Sequence, residues 1–282
     1  MCGIVGYIGS KEAYPVLIKG LHRLEYRGYD SSGVAMISDE GKLNIYKAKG
    51  KVAALEHFAE SKDRSGTVGI AHTRWATHGE PNDTNAHPHA SQSGDLAIVH
   101  NGTIENYTVV KKALEQHGYA FRSETDTEVV AQLLEYYYKD GQDDLLGAVV
   151  KVLHRIQGAY AFGIICADRP DELIAARKDS PLILGYGKGF HFLASDVTAV
   201  IKYTREVSYL DDGDIAVLTA DGIQVYDALL QPVEKERCHV DWEISAAEKG
   251  GYEHFMAKEI MEQPKAFRDT VFPRIQDGRV VL

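Results

Sequence analysis

MCGIVGYIG, from Met1 to Gly9, combines a strand with an unusual leading residue. Ile4 to Ile8 is a short apolar run rich in β-branched residues and bounded by glycine, which predicts a β-strand. Immediately before it stands Cys2. An initiator Met is trimmed when the next residue is small, and Cys is small, so the mature chain is expected to begin with Cys2. That residue then carries both a thiol, with an ordinary pKa of about 8.5, and a free α-amine, at about 7.7–8.0. Both sit near working pH, where proton transfer is most effective, so one residue can supply nucleophile and base together. The bland alternative is a small buried residue heading a strand. Position alone does not decide between them. Gly3 and Gly6 are equally two-sided: they admit a substrate close to the backbone, or they mark a bulge or edge turn.

Working outward, further strands are predicted at Val34 to Ile37, Val68 to Ala71, Leu96 to Val99 and Ala159 to Cys166. Others follow at Leu173 to Ala176, Leu182 to Leu184, Phe190 to Ala194 and Ile215 to Leu218. Helical spacing appears in Tyr14, Leu17, Ile18, Leu21 and Leu24, in Val129, Val130, Leu133, Leu134 and Tyr137, and in Leu146, Val149, Val150, Leu153 and Ile156. Asp143 or Asp144 is the expected cap of the third. Clustered strands with separate helices, rather than βαβα alternation, point to an α+β fold with antiparallel sheets. One domain is expected from residue 2 to about 240. A looser connector is expected over 241–282, with a last helix from His254 to Gln263 stopped by Pro264.

Composition excludes several classes. A net charge of −10, from 41 acidic and 31 basic residues, repels nucleic acid and anionic lipid, so neither is an expected partner. No apolar run reaches the roughly 18 residues a membrane span needs, and the N-terminus lacks the basic region of a signal peptide. Three scattered cysteines, Cys2, Cys166 and Cys238, form no disulfide framework and fit a reducing, cytoplasmic setting. Five histidines, His72, His78, His87, His89 and His100, lie close in sequence. Without HExxH or a cysteine partner they read as hydrogen-bonding loop histidines rather than a metal site.

Three segments carry candidate chemistry. HTRWATHGEPN (72–82) follows a strand; Arg74 offers a fork matched to a carboxylate, or else a surface ion pair. VHNGTIEN (99–106) places Asn101 beside Gly102, either as an oxyanion-binding pair or as a plain hairpin turn. In SETDTE (123–128), Thr125 or Asp126 can cap the next helix; alternatively a carboxylate there meets a substrate ammonium.

Together with LEYRGYDSSG (24–33), NAHPH (85–89) and GYEHFMAKEIMEQP (251–264), these segments resemble the glutaminase domain of the class II, N-terminal-nucleophile glutamine amidotransferases. Within that family the match is closest to the branch that aminates fructose-6-phosphate. The resemblance runs from Cys2 to Pro264. It implies a four-layer αββα sandwich with two antiparallel sheets, Cys2 as nucleophile with its α-amine as base, and Asn101 and Gly102 as oxyanion hole. It also implies that Arg74, Thr77, His78 and Asp126 bind glutamine and that Trp75 gates ammonia, with Arg27 and His87 near the site. It calls for no cofactor and no metal. The partner it implies is a sugar-phosphate isomerase module beyond Leu282, and self-association stays open. Competing readings are another class II acceptor, a catalytically idle glutamine sensor, and a different N-terminal-nucleophile amide hydrolase.

Overall fold

Strand β1 (Gly3–Gly9) is buried along its whole length, because a helix covers one face and a second sheet the other. The computed structural model describes residues 2–76, 79–139, 144–241, 251–252, 255–276 and 279–281. In chain order, β1 leads to α1 (Ala13–Leu24), β2 (Ser31–Ile37), β3 (Leu43–Lys49), α2 (Val52–Ala59) and β4 (Val68–Arg74). Next come β5 (His89–Ala90), β6 (Leu96–Ile104), α3 (Tyr107–Gln116), α4 (Asp126–Lys139) and α5 (Leu145–Arg155). The remaining strands are β7 (Gly158–Cys166), β8 (Arg169–Lys178), β9 (Ile183–Tyr186) and β10 (Phe190–Ala194), then β11 (Glu206–Tyr209), β12 (Ile215–Leu218), β13 (Ile223–Tyr226) and β14 (Cys238–His239).

These strands form two antiparallel sheets; a separate two-stranded ladder, Ile275–Gln276 with Arg279–Val280, lies in the C-terminal segment. One of the two sheets has the order β14-β11-β9-β10-β1-β4-β2-β3, the other β13-β12-β8-β7-β6-β5. Their facing sides share one core, in which Ile4, Ile8, Ile37 and Ile70 meet Val99, Ile165 and Leu173. The outer face of the second sheet, with Ile98, Ile164 and Ile174, packs on Val130 and Leu134 of α4 and Val149 of α5. The outer face of the first carries α1, whose Leu17, Leu21 and Leu24 are wholly buried. The result is the expected αββα sandwich. Double coverage explains why the central strands read as unbroken apolar runs rather than alternating ones.

Several elements differ from the sequence expectation. Strand β3 was not expected because, as an edge strand, it buries only Tyr46 and Ala48. Helix α3 buries only Val110 and Leu114, too few to set a period. Of the two candidate caps of α5, Asp144 accepts from the Gly147 N–H at 2.8 Å; Asp143 lies outside the described residues.

The chain divides into two units, Met1–Val240 and Asp241–Leu282. In the second, helix α6 (Phe255–Val271) runs through Pro264 instead of stopping there. A proline inside a helix forfeits one backbone bond without always ending it. Ion pairs one turn apart span the same region, Lys258–Glu262 at 3.8 Å and Lys265–Asp269 at 3.1 Å. Most of the expected linker 241–251, and His254, lie outside the described residues.

Candidate active site

Register brings Cys2 to its neighbours. Gly3 pairs with Thr73 and Ile4 with His72 across β1 and β4, so Cys2 falls beside the end of β4. There the Trp75 N–H donates to the Cys2 Sγ at 3.3 Å, and Sγ lies 3.5 Å from the Trp75 carbonyl oxygen. On the other edge Ser195 accepts from the Ile4 N–H through Oγ at 2.9 Å and donates its own N–H to the Ile4 oxygen at 3.1 Å. The start of β1 is thus held from both sides. Burial pushes the Cys2 thiol pKa up, and the Asp30 charge adds to this against the Trp75 N–H and Arg74. The thiol is therefore protonated near neutrality, and nucleophilic use of Cys2 requires a base.

The segment after α1 holds the same strand end. The Asp30 N–H donates to the Arg74 oxygen at 3.2 Å, and the Ala76 N–H donates to the Asp30 carboxylate. Arg74 is buried, and its guanidinium donates to the Glu80 and Gly79 carbonyls at 3.4 and 3.3 Å. Arg27 is turned elsewhere: it ion-pairs with Asp196, and its Nε donates to the Tyr26 hydroxyl at 3.1 Å.

The second sheet supplies the opposite wall. Both β4 and β6 continue past the expected strand ends, and the Asn101-Gly102 pair is not a hairpin turn. It lies inside β6, opposite Ala161 and Tyr160. Gly102 has φ +139°, and a Cβ there would stand 2.0 Å from the Ala159 oxygen, so no other residue fits. The Asn101 Nδ2 donates to the Cys2 carbonyl at 3.1 Å.

At the start of α4 the capping roles separate. Thr125 Oγ1 accepts from the Glu128 N–H at 3.4 Å. The Glu128 carboxylate reaches back to the N–H groups of Ser123 and Arg122 at 2.6 and 2.9 Å. Asp126 is thereby released from capping and accepts from the Ile104 N–H at 2.7 Å, at a helix N-terminus that favours its negative charge.

Cys2, Arg74, Trp75, His87, His100, Gly102, Thr125, Asp126 and Thr127 line one cavity. Its volume is about 30 Å³. The Trp75 side chain is half-exposed and sits edge-on to Tyr29 with ring centres 5.6 Å apart. Thr77 and His78 lie outside the described residues.

His72, His87, His89 and His100 are buried, three of them in strands, rather than displayed on loops as the sequence suggested. Burial lowers the pKa of all four, that of His72 to about 3. Among the described residues no group of three or more His, Cys, Asp or Glu is arranged to hold a metal. Sequence reasoning passed over Thr127, Asp30 and Ser195 and read His72 only as one loop histidine among five. All four lie in or beside quoted motifs or predicted strands, but nothing in their spacing revealed their partners.

Residues 72–202 match a family model described as a glutamine amidotransferase domain. Over its full length the chain is 56% identical to the glutamine–fructose-6-phosphate aminotransferase (isomerizing) of Caldanaerobacter subterraneus, covering 46% of that protein. The chain carries a glutamine amidotransferase domain. The enzyme of the same description from Bacteroides thetaiotaomicron is also 56% identical to this chain, again over the whole chain and 46% of the relative. The chain therefore spans about half the length of the curated relatives it matches. Among solved structures, the glutamine phosphoribosylpyrophosphate amidotransferase of B. subtilis, complexed with ADP and GMP, superposes with TM-score 0.69 at 28% identity. That match covers 82% of this chain and 50% of the other. A class-II glutamine aminotransferase domain protein from Silicibacter pomeroyi shares the fold, with TM-score 0.56 at 17% identity over 82% of this chain and all of the other. Among the described residues no helix is long and apolar enough to cross a membrane.

Proposed function

We propose that this chain hydrolyses the side-chain amide of L-glutamine through a γ-glutamyl thioester on Cys2. The observation that carries the proposal is the convergence of Cys2, Gly102, Arg74 and Asp126 on one cavity, with Asn101 bonded to Cys2. The reading assigns to this cluster a nucleophile, two oxyanion donors and a charge pair matched to an amino acid.

After removal of Met1, the Cys2 α-amine takes the thiol proton. The thiolate attacks the amide carbon, and the developing oxyanion is held by the Asn101 NH₂ and the Gly102 N–H. The α-ammonium returns the proton to the leaving nitrogen, and ammonia departs. Water, deprotonated by the same amine, then attacks the thioester carbon, sulfur leaves, and glutamate is released. Arg74 pairs with the substrate α-carboxylate, Asp126 with its α-ammonium, and Thr77 and His78 complete the binding set. Trp75 gates the ammonia, while Arg27 and His87 support the surrounding segments.

In the longer protein the ammonia would pass to an isomerase module joined through residues 241–282 and aminate fructose-6-phosphate, in the cytoplasm. The 56% identity to aminotransferases of that acceptor favours it over phosphoribosyl pyrophosphate, whose amidotransferase stands at 28%. Ammonia release from glutamine, asparagine and simple acyl amides tests the glutaminase proposal. Release from glutamine alone is the expected result, and equal release from acyl amides would rule out the roles of Arg74 and Asp126.

A further inference from the structure

The Asn101 carboxamide can stand either way round, with its NH₂ or its oxygen toward Cys2. Only the first orientation serves an oxyanion. His72 Nε2 lies 3.0 Å from the Asn101 Oδ1 and 3.1 Å from the His100 carbonyl oxygen. A carbonyl can only accept, so Nε2 carries the hydrogen, and the Asn101 atom facing it must be oxygen. The NH₂ is then directed to the Cys2 carbonyl, which accepts one of its two hydrogens.

The next partners fix that tautomer. His72 is neutral in its buried site, so its Nδ1 is a lone pair, and His87 Nδ1 at 3.2 Å must donate to it. His87 Nε2 is then an acceptor and takes the Thr127 hydroxyl hydrogen at 2.9 Å. Asp126 Oδ1, at 3.5 Å from that hydroxyl, is too far to compete. Thr127 Oγ1 in turn accepts from His100 Nδ1 at 2.9 Å. The bonds run from the His100 ring through Thr127, His87 and His72 back to the His100 carbonyl. Each link takes the direction that the His72 Nε2 hydrogen sets, at the expense of the longest contact in the cluster, His100 Nε2 to the Ala159 carbonyl at 3.4 Å, and the Asn101 oxygen is attached to this closed ring. His72 and His87 pack edge-on, with centres 4.3 Å apart and planes at 89°, which leaves neither ring an easy flip.

We infer that His72, locked by His87 and Thr127, is a positioning residue that sets the orientation of the Asn101 amide and so aims its N–H at the reaction's oxyanion. This rests on Asn101 being an oxyanion donor, as proposed above.

The test compares kcat and KM for glutamine in His72→Gln, His72→Asn, Asn101→Ala and the double variant His72→Asn/Asn101→Ala. Gln sets an amide NH₂ near the Nε2 position, whereas the shorter Asn places it near Nδ1. Thermal unfolding of both variants separates a loss of stability from a loss of alignment. Expected is a fall in kcat of about 10–100-fold for His72→Asn, the scale of a misplaced catalytic group. KM should stay within about threefold and His72→Gln should recover most of the rate. In the double variant the His72 change adds nothing to the Asn101→Ala loss, because it acts through Asn101. Equal kcat in the Gln and Asn variants, or losses that multiply in the double variant, overturns the inference. If Asn101→Ala itself keeps near-normal kcat, the oxyanion assignment fails and the positioning role falls with it. If only that variant is impaired, the positioning role alone is lost.

Discussion

The Asn101 side-chain nitrogen lies 3.1 Å from the Cys2 carbonyl oxygen, and this bond joins the two sheets at the residue proposed to do the chemistry. Cys2 precedes β1 of one sheet, while Asn101 lies inside β6 of the other. The sandwich core keeps them at a fixed spacing, so the proposed oxyanion donor and the proposed nucleophile are aligned before substrate arrives.

That alignment makes Gly102 intolerant of change. A Cβ would meet the Ala159 oxygen at 2.0 Å on a backbone with positive φ, so Gly102→Ala must displace β6 from β7. The expected outcome is a lower Tm together with a turnover loss of at least about 10²-fold, as for a lost oxyanion donor. Thermal unfolding and ammonia release measure the two.

Arg74 and Asp126 are assigned to binding rather than to bond breaking. Charge-assisted hydrogen bonds contribute about 1.5–3 kcal/mol each, so Arg74→Lys or Asp126→Asn should raise KM for glutamine by roughly 10–100-fold. kcat at saturation should change far less. Steady-state kinetics separates the two parameters, and a pure kcat defect would remove either residue from the binding role.

Glu128 is assigned to the fold. It is buried, and its carboxylate satisfies the Ser123 and Arg122 N–H groups, so Glu128→Ala leaves buried donors unpaired at a cost of about 1–3 kcal/mol. Since Asp126 sits in the same first turn, KM for glutamine should rise with the loss of stability. Denaturant titration and kinetics on one preparation check both.

The buried histidines set an acid limit. Their folded-state pKa values lie below the ordinary 6.5, so unfolding takes up protons and stability rises with pH between the folded and unfolded values. It is fully present above about pH 6.5 and lost on acidification, for His72 down to about pH 3. Each histidine contributes up to about 1.4 kcal/mol per pH unit. Urea unfolding from pH 7.5 to 4.5 should show this slope, and His89→Gln should make it shallower.

Local signals were legible where one residue type is the only physical solution. The apolar run of β1 and the helix start near Tyr14 could be read directly, and the start of α5 to within one residue. What remained hidden were pairings set by stacking two sheets. Asn101-Gly102 looks like a turn until Tyr160 and Ala161 are seen opposite it. His72 looks like one loop histidine among five until the second sheet brings the His100 carbonyl and Asn101 to its Nε2. Arg27 was placed near the site by resemblance, and nothing in its spacing disclosed its partner Asp196, 169 residues away in sequence. Strand β3 and helix α3 bury too few side chains to reveal their period.

Intact mass and peptide mapping of the purified chain, before and after 6-diazo-5-oxo-norleucine, probe the proposed chemistry most directly. The expected result is a chain beginning at Cys2 that gains one adduct on that residue and loses all ammonia release in step with it. A chain that retains Met1 yet deamidates glutamine at full rate, or that is inactivated with Cys2 unmodified, would contradict the N-terminal nucleophile.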